Sequence, residues 1–313
     1  MAAPRPLPTD HKAFTQLPVQ LVTVGGGSQQ MAVHVAGALR PGRTPVICVP
    51  GYNRNMADYA DFAREATALL RDGTPIVLVD LKGRGRSSDR PKADGYSSLN
   101  DAADLIEITR ALAIERAAFI GQGYGGQVLM ALAAERPSLI AGTVLIDSGP
   151  VSDSRNLVRL RVTLGDLVGL RGGPNLRPML RRMVTADYPE APDTLVEDLA
   201  FRTHFLDKRG RLQPLFDPKL IALLEPFDLN DVLVAQWPLF DALRSAPLLM
   251  MRTQLTQQLR RETFEEMMKR RRDSEGYIIE HQGSPALLDN VEDVQPITDF
   301  IKAALTQKAA AQA

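Results

Sequence analysis

The 313-residue chain is 44% hydrophobic and 24% charged. These fractions are typical of compact globular proteins, and the length fits one α/β domain that carries an insertion. Lysine plus arginine and aspartate plus glutamate number 37 each, so the formal net charge is zero. A neutral chain has no overall attraction to nucleic acid or to acidic membranes. We therefore expect a small-molecule ligand, a protein partner or a second copy of the chain, rather than nucleic acid or a membrane.

Cysteine usage and the first residues bear on the compartment. Cys48 is the single cysteine, which excludes an internal disulfide and a cysteine metal cluster. Residues 1–8 lack the apolar stretch of a secretory signal, and no later window approaches the ~18–20 continuous apolar residues of a membrane span. These features predict a cytoplasmic protein, and nothing in the sequence indicates a bound metal or cofactor.

Short apolar runs alternate with helical patterns over the first half of the chain. Strand-like runs lie at 19–24, 31–36, 45–49, 75–79, 117–120 and 143–146. The first two can pair as a hairpin across residues 25–27, whereas the later ones are continuously apolar, as in strands buried on both faces. Helical patterns lie at 56–71, 97–113 and 127–135. The alternation predicts an α/β fold whose mostly parallel central sheet is flanked by helices.

The pattern changes after residue 150. Helical segments broken by prolines follow one another through residues 151–246, with no strand predicted between them. Strand character returns at 247–251 and 277–280, and a helical pattern covers 291–306. We therefore predict a core domain formed by residues 1–150 and 247–313, with residues 151–246 as an inserted helical lid.

Three segments that follow predicted strands carry a resemblance to a known family. Val46-Ile-Cys-Val-Pro-Gly-Tyr is a strand with a glycine turn, and Asp80-Leu-Lys-Gly-Arg-Gly-Arg-Ser is similar to the pattern D-x-R-G-x-G-x-S. Phe119-Ile-Gly-Gln-Gly-Tyr-Gly-Gly resembles the nucleophile elbow G-x-S-x-G. In this order and spacing, the segments make the chain similar to the α/β-hydrolase family over nearly its whole length. The resemblance implies an α/β-hydrolase fold with a lid.

The nucleophile position departs from that family's pattern. In Gly121-Gln122-Gly123-Tyr124-Gly125 the resemblance puts the nucleophile at Gly123, which has no side chain to attack a carbonyl. The elbow holds its central residue at positive φ, which costs a non-glycine residue about 1–3 kcal/mol and which glycine adopts freely. We interpret Gly123 as a degenerate nucleophile position.

The acid and base positions implied by the resemblance also lack their expected side chains. The family's acid lies in a loop similar to R-G-x-x-S-D, and here Arg252-Thr-Gln-Leu-Thr-Gln puts Gln257 in its place. The base lies in G-H-x-P, and here Gln282-Gly-Ser-Pro puts Gly283 in the histidine position. The serine, aspartate and histidine of the triad are therefore all predicted to be missing.

A rebuilt active site is the first alternative. Of the four histidines, His281 alone has the chain position of the base, although it lies two residues from the motif. Asp147 follows the strand after the elbow, where some related enzymes keep their acid, and a role in capping the turn is its other interpretation. With His281 as base, Asp147 as acid and water as nucleophile, the chain would be a hydrolase or lyase acting on an ester, C–C or C–X bond.

Backbone groups of the expected oxyanion hole do not depend on the triad. The resemblance implies that the N–H groups of Tyr52 and Tyr124 converge beneath the pocket, where they can bind a carbonyl or carboxylate without catalysis. We expect Gly51, Tyr52, Asn53 and Tyr124 to contact the ligand. The leading hypothesis is a non-catalytic homologue that binds an apolar acyl, ester or acid-like molecule, or a protein partner.

A nucleotide-binding site is the second alternative. Gly121-x-Gly123-x-x-Gly126 matches the dinucleotide fingerprint, follows a predicted strand and opens a helix. Asp147 stands about twenty residues further on, where the fingerprint places a ribose-binding carboxylate. This interpretation predicts a nucleotide-dependent oxidoreductase, but it leaves the segments at Pro50 and Asp80 unexplained.

Overall fold

The computed structural model describes residues 7–8, 10–27 and 29–312, and it contains ten strands. Residues 1–6, on which part of the expectation of no secretory signal rests, lie outside this range. The strands are β1 (Gln20–Val24), β2 (Gln29–Ala36), β3 (Val46–Val49), β4 (Ile76–Val79), β5 (Ala117–Gln122), β6 (Ile140–Ile146), β7 (His204–Leu206), β8 (Leu212–Pro214), β9 (Leu248–Thr253) and β10 (Glu275–Ile279).

Eight of these strands form one sheet in the order β1-β2-β4-β3-β5-β6-β9-β10. The last six strands in this order, from β4 to β10, are parallel to one another. Strand β2 runs antiparallel to both β4 and β1. The predicted mostly parallel sheet and the hairpin of the first two strands are therefore confirmed.

Ten α-helices connect or follow the strands. They are α1 (Ala60–Leu70), α2 (Ser98–Ala111), α3 (Tyr124–Glu135), α4 (Ser154–Leu167), α5 (Leu176–Val184), α6 (Asp193–Phe201), α7 (Lys219–Ala222), α8 (Trp237–Asp241), α9 (Arg261–Arg270) and α10 (Val291–Gln312). Helix α3 begins three residues before the predicted start, because the chain turns from β5 into the helix at a single residue, Gly123.

Helices cover both faces of the sheet. Successive side chains of a strand point to opposite faces, and on both faces they pack against helices. Ile47 and Val49 pack in a cluster with residues of α2, α3 and α9, whereas Val46 and Cys48 pack in a second cluster with residues of α1 and α10. Each fully buried aliphatic side chain contributes about 1.5–3 kcal/mol. Cys48 is buried in the sheet, as the apolar run around it predicts.

Residues 151–246, called the insert below, lie between β6 and β9. Helices α4 to α8 belong to the insert, but so do β7 and β8, which pair as an antiparallel hairpin. The prediction of a segment without strands is therefore wrong. Three residues are too few to show a period-two pattern in the sequence, and the pairing depends on a turn in which the Asp207 carboxylate accepts hydrogen bonds from the backbone N–H groups of Arg209 and Arg211.

The loops that leave β3, β5, β6, β9 and β10 at their carboxyl ends lie along one edge of the sheet and face the insert. This edge is where open parallel sheets bind their ligands. No helix in the described part of the chain combines the length and the apolar character needed to cross a membrane. Residues 7–8, 10–27 and 29–312 also contain no cluster of three metal-ligating His, Cys, Asp or Glu side chains.

Candidate functional site

A cavity of about 640 Å³ lies between the carboxyl edge of the sheet and the insert. The core contributes Gly51, Tyr52, Asn53 and Tyr124, so the structure brings all four predicted ligand contacts to one cavity. The insert contributes mostly apolar side chains, among them Leu157, Leu160, Leu164, Met183, Leu199, Leu223, Leu224 and Phe227. A volume of this size can hold a small organic molecule, and its wall suits an apolar one.

Gly123 forms the sharp turn at the floor of this cavity. Its backbone has φ 51° and ψ −116°, between the end of β5 and the first residue of α3. A Cβ built on Gly123 would lie 2.5 Å from Oε1 of Gln258. The amide end of Gln258 therefore occupies the space in which a nucleophile's side chain would begin. Because that amide is the far end of an exposed, flexible side chain, it can move aside.

Gln257, the predicted acid position, does not line the cavity. Its side chain is exposed, and its Nε2 donates to the Leu255 carbonyl at 3.4 Å. It lines a separate surface cleft rather than the cavity. Arg252 fixes the loop in this arrangement, because its guanidinium donates to the carbonyl oxygens of Thr253, Gln254, Thr256 and Leu259.

Gly283, the predicted base position, is packed against the backbone of the insert. A Cβ on Gly283 would lie 2.5 Å from both the carbonyl carbon and the Cβ of Asp187. Tyr188, which follows Asp187 in the chain, is buried. Its hydroxyl donates to the carbonyl oxygens of Gly283, at 3.1 Å, and of Pro285. The insert therefore fills the space that a histidine side chain at residue 283 would need.

The Asp187 carboxylate strengthens this contact. Its Oδ1 accepts a hydrogen bond from the Ser284 backbone N–H at 3.3 Å, and the backbone N–H of Gln257 is a second donor. Burial raises the pKa of Asp187, and these two donors partly offset the rise. One side chain of the insert thus joins the loops that follow β9 and β10.

His281 lies outside the cavity. Its side chain is exposed, its backbone is left-handed with φ 58°, and its backbone N–H donates to Oε1 of Gln254 at 2.9 Å. The cavity wall at this loop is made instead by Ser284 and Pro285. The structure therefore does not bring His281 and Asp147 together as the rebuilt-site alternative requires.

Asp147 lines the cavity but is held by the neighbouring loop. It is 2% exposed, and its two carboxylate oxygens accept hydrogen bonds from Thr253, one from the backbone N–H at 2.8 Å and one from Oγ1 at 2.7 Å. Burial raises its pKa to about 7 despite these two donors. Both carboxylate oxygens are directed to Thr253 of the neighbouring loop, so the structure gives no support for Asp147 as a ribose-binding carboxylate.

Two aromatic rings form the cavity wall next to the glycine turn. Tyr52 and Tyr124 meet edge to face with ring centroids 5.5 Å apart. Their hydroxyls donate away from the cavity, to the Leu220 carbonyl at 2.9 Å and to Asp101 Oδ2 at 2.8 Å respectively. Desolvation raises the pKa of Tyr52 to about 12 and also raises that of Tyr124, so neither phenol is ionised near neutral pH.

A buried arginine packs against both of these rings. Arg84 is fully buried, its Nε donates to the Tyr52 carbonyl at 2.7 Å, and its guanidinium lies 5.3 Å from the Tyr124 ring centroid. Asp101 balances the charge at 3.3 Å. This arrangement fixes the segment whose backbone N–H groups border the cavity.

The sequence did not indicate Gln258, Asp187, Tyr188 or Thr253 as parts of the site. Gln258 is adjacent to Gln257, and only the conformation of the loop after β9 shows that Gln258 is the one that faces the cavity. Asp187 and Tyr188 belong to a short loop of the insert, where no periodic pattern indicates which residues face the core. Thr253 ends β9, and only strand pairing shows that it meets the residue after β6.

The sequence is similar to hydrolases over parts of its length. The family model described as the alpha/beta hydrolase fold matches residues 44–165. An uncharacterized hydrolase, YugF of Bacillus subtilis, is 29% identical over 131 residues, which is 42% of this chain and 45% of the relative. The putative carbamate hydrolase RutD of Rhizobium rhizogenes is 28% identical over 204 residues, which is 64% of this chain and 73% of the relative.

One further relative and one solved structure extend the comparison. A 2-hydroxy-6-oxononadienedioate/2-hydroxy-6-oxononatrienedioate hydrolase of Paraburkholderia phymatum is 28% identical over 57% of this chain and 60% of its own length. The crystal structure of an alpha/beta hydrolase from Novosphingobium aromaticivorans superposes with a TM-score of 0.78 at 27% identity, over 91% of this chain and 98% of that one. Sheet order, elbow and comparisons agree, and the chain has the alpha/beta hydrolase fold.

Proposed function

We propose that this protein binds a small apolar molecule with a carbonyl or carboxylate group in the cavity beneath the insert and does not hydrolyse it. The observation that carries the proposal is the glycine at the nucleophile position, because Gly123 has no atom that can attack a carbonyl. The base position supports the same conclusion, because the backbone of Asp187 stands where a histidine side chain at residue 283 would be.

The backbone around the turn supports a binding role. In the described part of the chain, no hydrogen-bond acceptor is found for the N–H groups of Tyr52 and Tyr124, and the N-terminus of the twelve-residue helix α3 lies behind the second of them. Two such donors beside a helix N-terminus favour a carbonyl oxygen or an anion. The names of the carbamate and 2-hydroxy-6-oxo-dioate hydrolases among the relatives also denote carbonyl compounds. In this function the insert acts as a lid.

The binding half of the proposal is tested by calorimetric titration with octanoate, which joins an apolar chain to a carboxylate. We expect Leu160→Trp, which adds bulk to the cavity wall, to weaken binding at least about tenfold, since overpacking a site costs roughly 1–3 kcal/mol. Val162→Trp is the matched control, because Val162 lies on the same helix but is 52% exposed and does not line the cavity. No octanoate binding by the wild type, or equal losses in both variants, would contradict the proposal.

The catalytic half is tested with p-nitrophenyl esters of varied acyl length. We expect wild-type turnover no greater than the residual acceleration that an oxyanion hole and binding alone provide, about 10³–10⁴-fold over water. We also expect His281→Ala to leave that rate unchanged, because the histidine side chain is outside the cavity. Turnover that disappears in His281→Ala would instead establish the rebuilt hydrolase or lyase.

A further inference from the structure

A second cleft of about 460 Å³ adjoins the mouth of the cavity. Its wall contains Arg155, Arg159, Arg252, Arg260 and Arg261, together with two carboxylates, Asp153 and Glu262. Five guanidinium groups against two lining carboxylates leave a formal excess of three positive charges among the lining residues, which Glu265 reduces to two by pairing with Arg261 at 3.0 Å. This excess is local, because the whole chain has a net charge of zero.

The arginines in this cleft are only partly neutralised. Asp153 serves two of them, since it pairs with Arg155 at 3.0 Å and also with Arg260. The Arg155 hydrogen bond is the main cause that lowers the pKa of Asp153 to about 2. In the described ranges no carboxylate lies within ion-pair distance of Arg159, whose Nη2 donates to Asn156 Oδ1 at 3.1 Å. Its electrostatic partner is the buried carboxyl of Asp187, where the charge of Arg159 opposes the rise in pKa that burial causes. A cleft of this kind is strongly attractive to an anion.

Helix geometry adds to the positive potential. Helices α4 and α9 both begin at the cleft, and the positive end of a helix dipole lies at its N-terminus. The Asp153 carboxylate caps α4 and accepts from the Arg155 N–H, but the first turn of α4 carries Arg155, while α9 is preceded by Arg260 and starts with Arg261. Asp153 and Glu262 compensate only in part for these cations. An anion bound between the two helices would offset this unfavourable placement of cations.

Arg159 connects this cleft to the ligand cavity, because it lines both. We infer that the ligand is an amphipathic phosphate ester, whose apolar chain lies in the cavity and whose phosphate group binds in the arginine-lined cleft. The inference rests on the proposed function. Phosphate fits better than a single carboxylate because it carries −1.5 to −2 charges and several acceptor oxygens, which match planar guanidinium donors.

The test compares three probes by calorimetric titration of the full chain: octyl phosphate, octanol and inorganic phosphate. We expect octyl phosphate to bind at least about tenfold more tightly than octanol at low salt, and this difference to shrink as ionic strength approaches ~1 M. Arg159→Gln should remove most of the difference between the affinities for octyl phosphate and octanol. Arg177→Gln is the matched control, since it removes an exposed arginine of the insert that lines neither cavity nor cleft.

The outcomes separate this inference from the proposed function. Equal affinities for octyl phosphate and octanol would overturn the phosphate inference while the cavity proposal stands. Binding of neither octyl compound would overturn the phosphate inference, and the octanoate titration decides separately whether the proposed function stands. Sedimentation with phosphatidylcholine vesicles, with and without phosphatidic acid, then identifies the source of the phosphate: Arg159-dependent binding to the acidic vesicles assigns it to a lipid headgroup, and its absence assigns it to a soluble ester.

Discussion

The carbonyl carbon of Asp187 lies 2.5 Å from the point where a Cβ on Gly283 would stand. At Gly123 the equivalent space is limited only by the amide of Gln258. The two positions therefore differ in how readily a side chain can return. A flexible side chain can rotate away from residue 123, whereas a side chain at residue 283 requires the backbone of the insert to move.

Gly123→Ser should fold but should be less stable than the wild type by about 1–3 kcal/mol, because serine must adopt the positive φ of the elbow. It should show no gain in ester hydrolysis, since no histidine is present to accept the serine proton. Denaturant unfolding and p-nitrophenyl butyrate turnover measure the two effects. Gly165→Ser is the control, because Gly165 lies in α4 without positive φ and with open space around it, so its stability should not fall. Equal stability losses in the two variants would show that the elbow is not strained.

Gly283→His should destabilise the protein more than Gly123→Ser, by roughly 3 kcal/mol or more, because its Cβ collides with main-chain atoms. For the same reason the double variant Gly123→Ser/Gly283→His should remain inactive toward esters. Unfolding in urea and ester turnover as a function of pH are the measurements. A double variant that hydrolyses esters with dependence on a group titrating near neutral pH would mean that the insert withdraws easily from residue 283.

Tyr188→Phe should loosen the insert over the cavity. The change removes the hydroxyl that bonds to the carbonyl oxygens of Gly283 and Pro285, at a cost of about 1–3 kcal/mol for buried acceptors left without a donor. Hydrogen exchange should become faster around residues 184–188 and 283–286, with the sheet core unchanged. Tyr277→Phe, on the half-exposed strand β10, is the control and should leave both segments as they are. Uniform exchange in all three proteins would refute a role of Tyr188 in holding the insert.

Asp147 should make stability depend on pH. Burial raises its pKa from 3.8 to about 7, so the folded protein retains a proton that the unfolded chain has released. The folded state then binds more protons across this window, and the free energy of unfolding must fall as pH rises from about 4 through 7. Over this pH range the free energy of unfolding of the wild type should fall by on the order of a few kcal/mol more than that of Asp147→Asn.

Asparagine suits this comparison because its oxygen can accept from the Thr253 N–H while its amide donates to the Thr253 hydroxyl. Urea unfolding of both proteins between pH 4 and 8 measures the difference. Parallel curves would show that Asp147 titrates normally in the folded state.

The sheet and its flanking helices could be predicted because their signals are local. Continuous apolar runs such as those of β3 and β4 identify strands buried on both faces, and the β5 to α3 junction is visible as a glycine cluster. The hairpin of β7 and β8 was missed because three-residue strands carry no readable period. The sequence did not indicate that Gln258 meets Gly123, because a loop has no periodicity that shows which side chains face the site.

The sequence by itself determined two features: a mostly parallel sheet flanked by helices, and a glycine at the turn after the fifth strand. Both depend only on residue type and on spacing over short stretches of the chain. Only the tertiary structure decided that Asp187 and Tyr188 fill the histidine position, that Thr253 engages Asp147, and that Arg159 joins an arginine-lined cleft to the cavity. These contacts connect residues separated by tens to more than one hundred positions. Their geometry depends on how the insert packs onto the carboxyl edge of the sheet, which no local pattern in the sequence encodes.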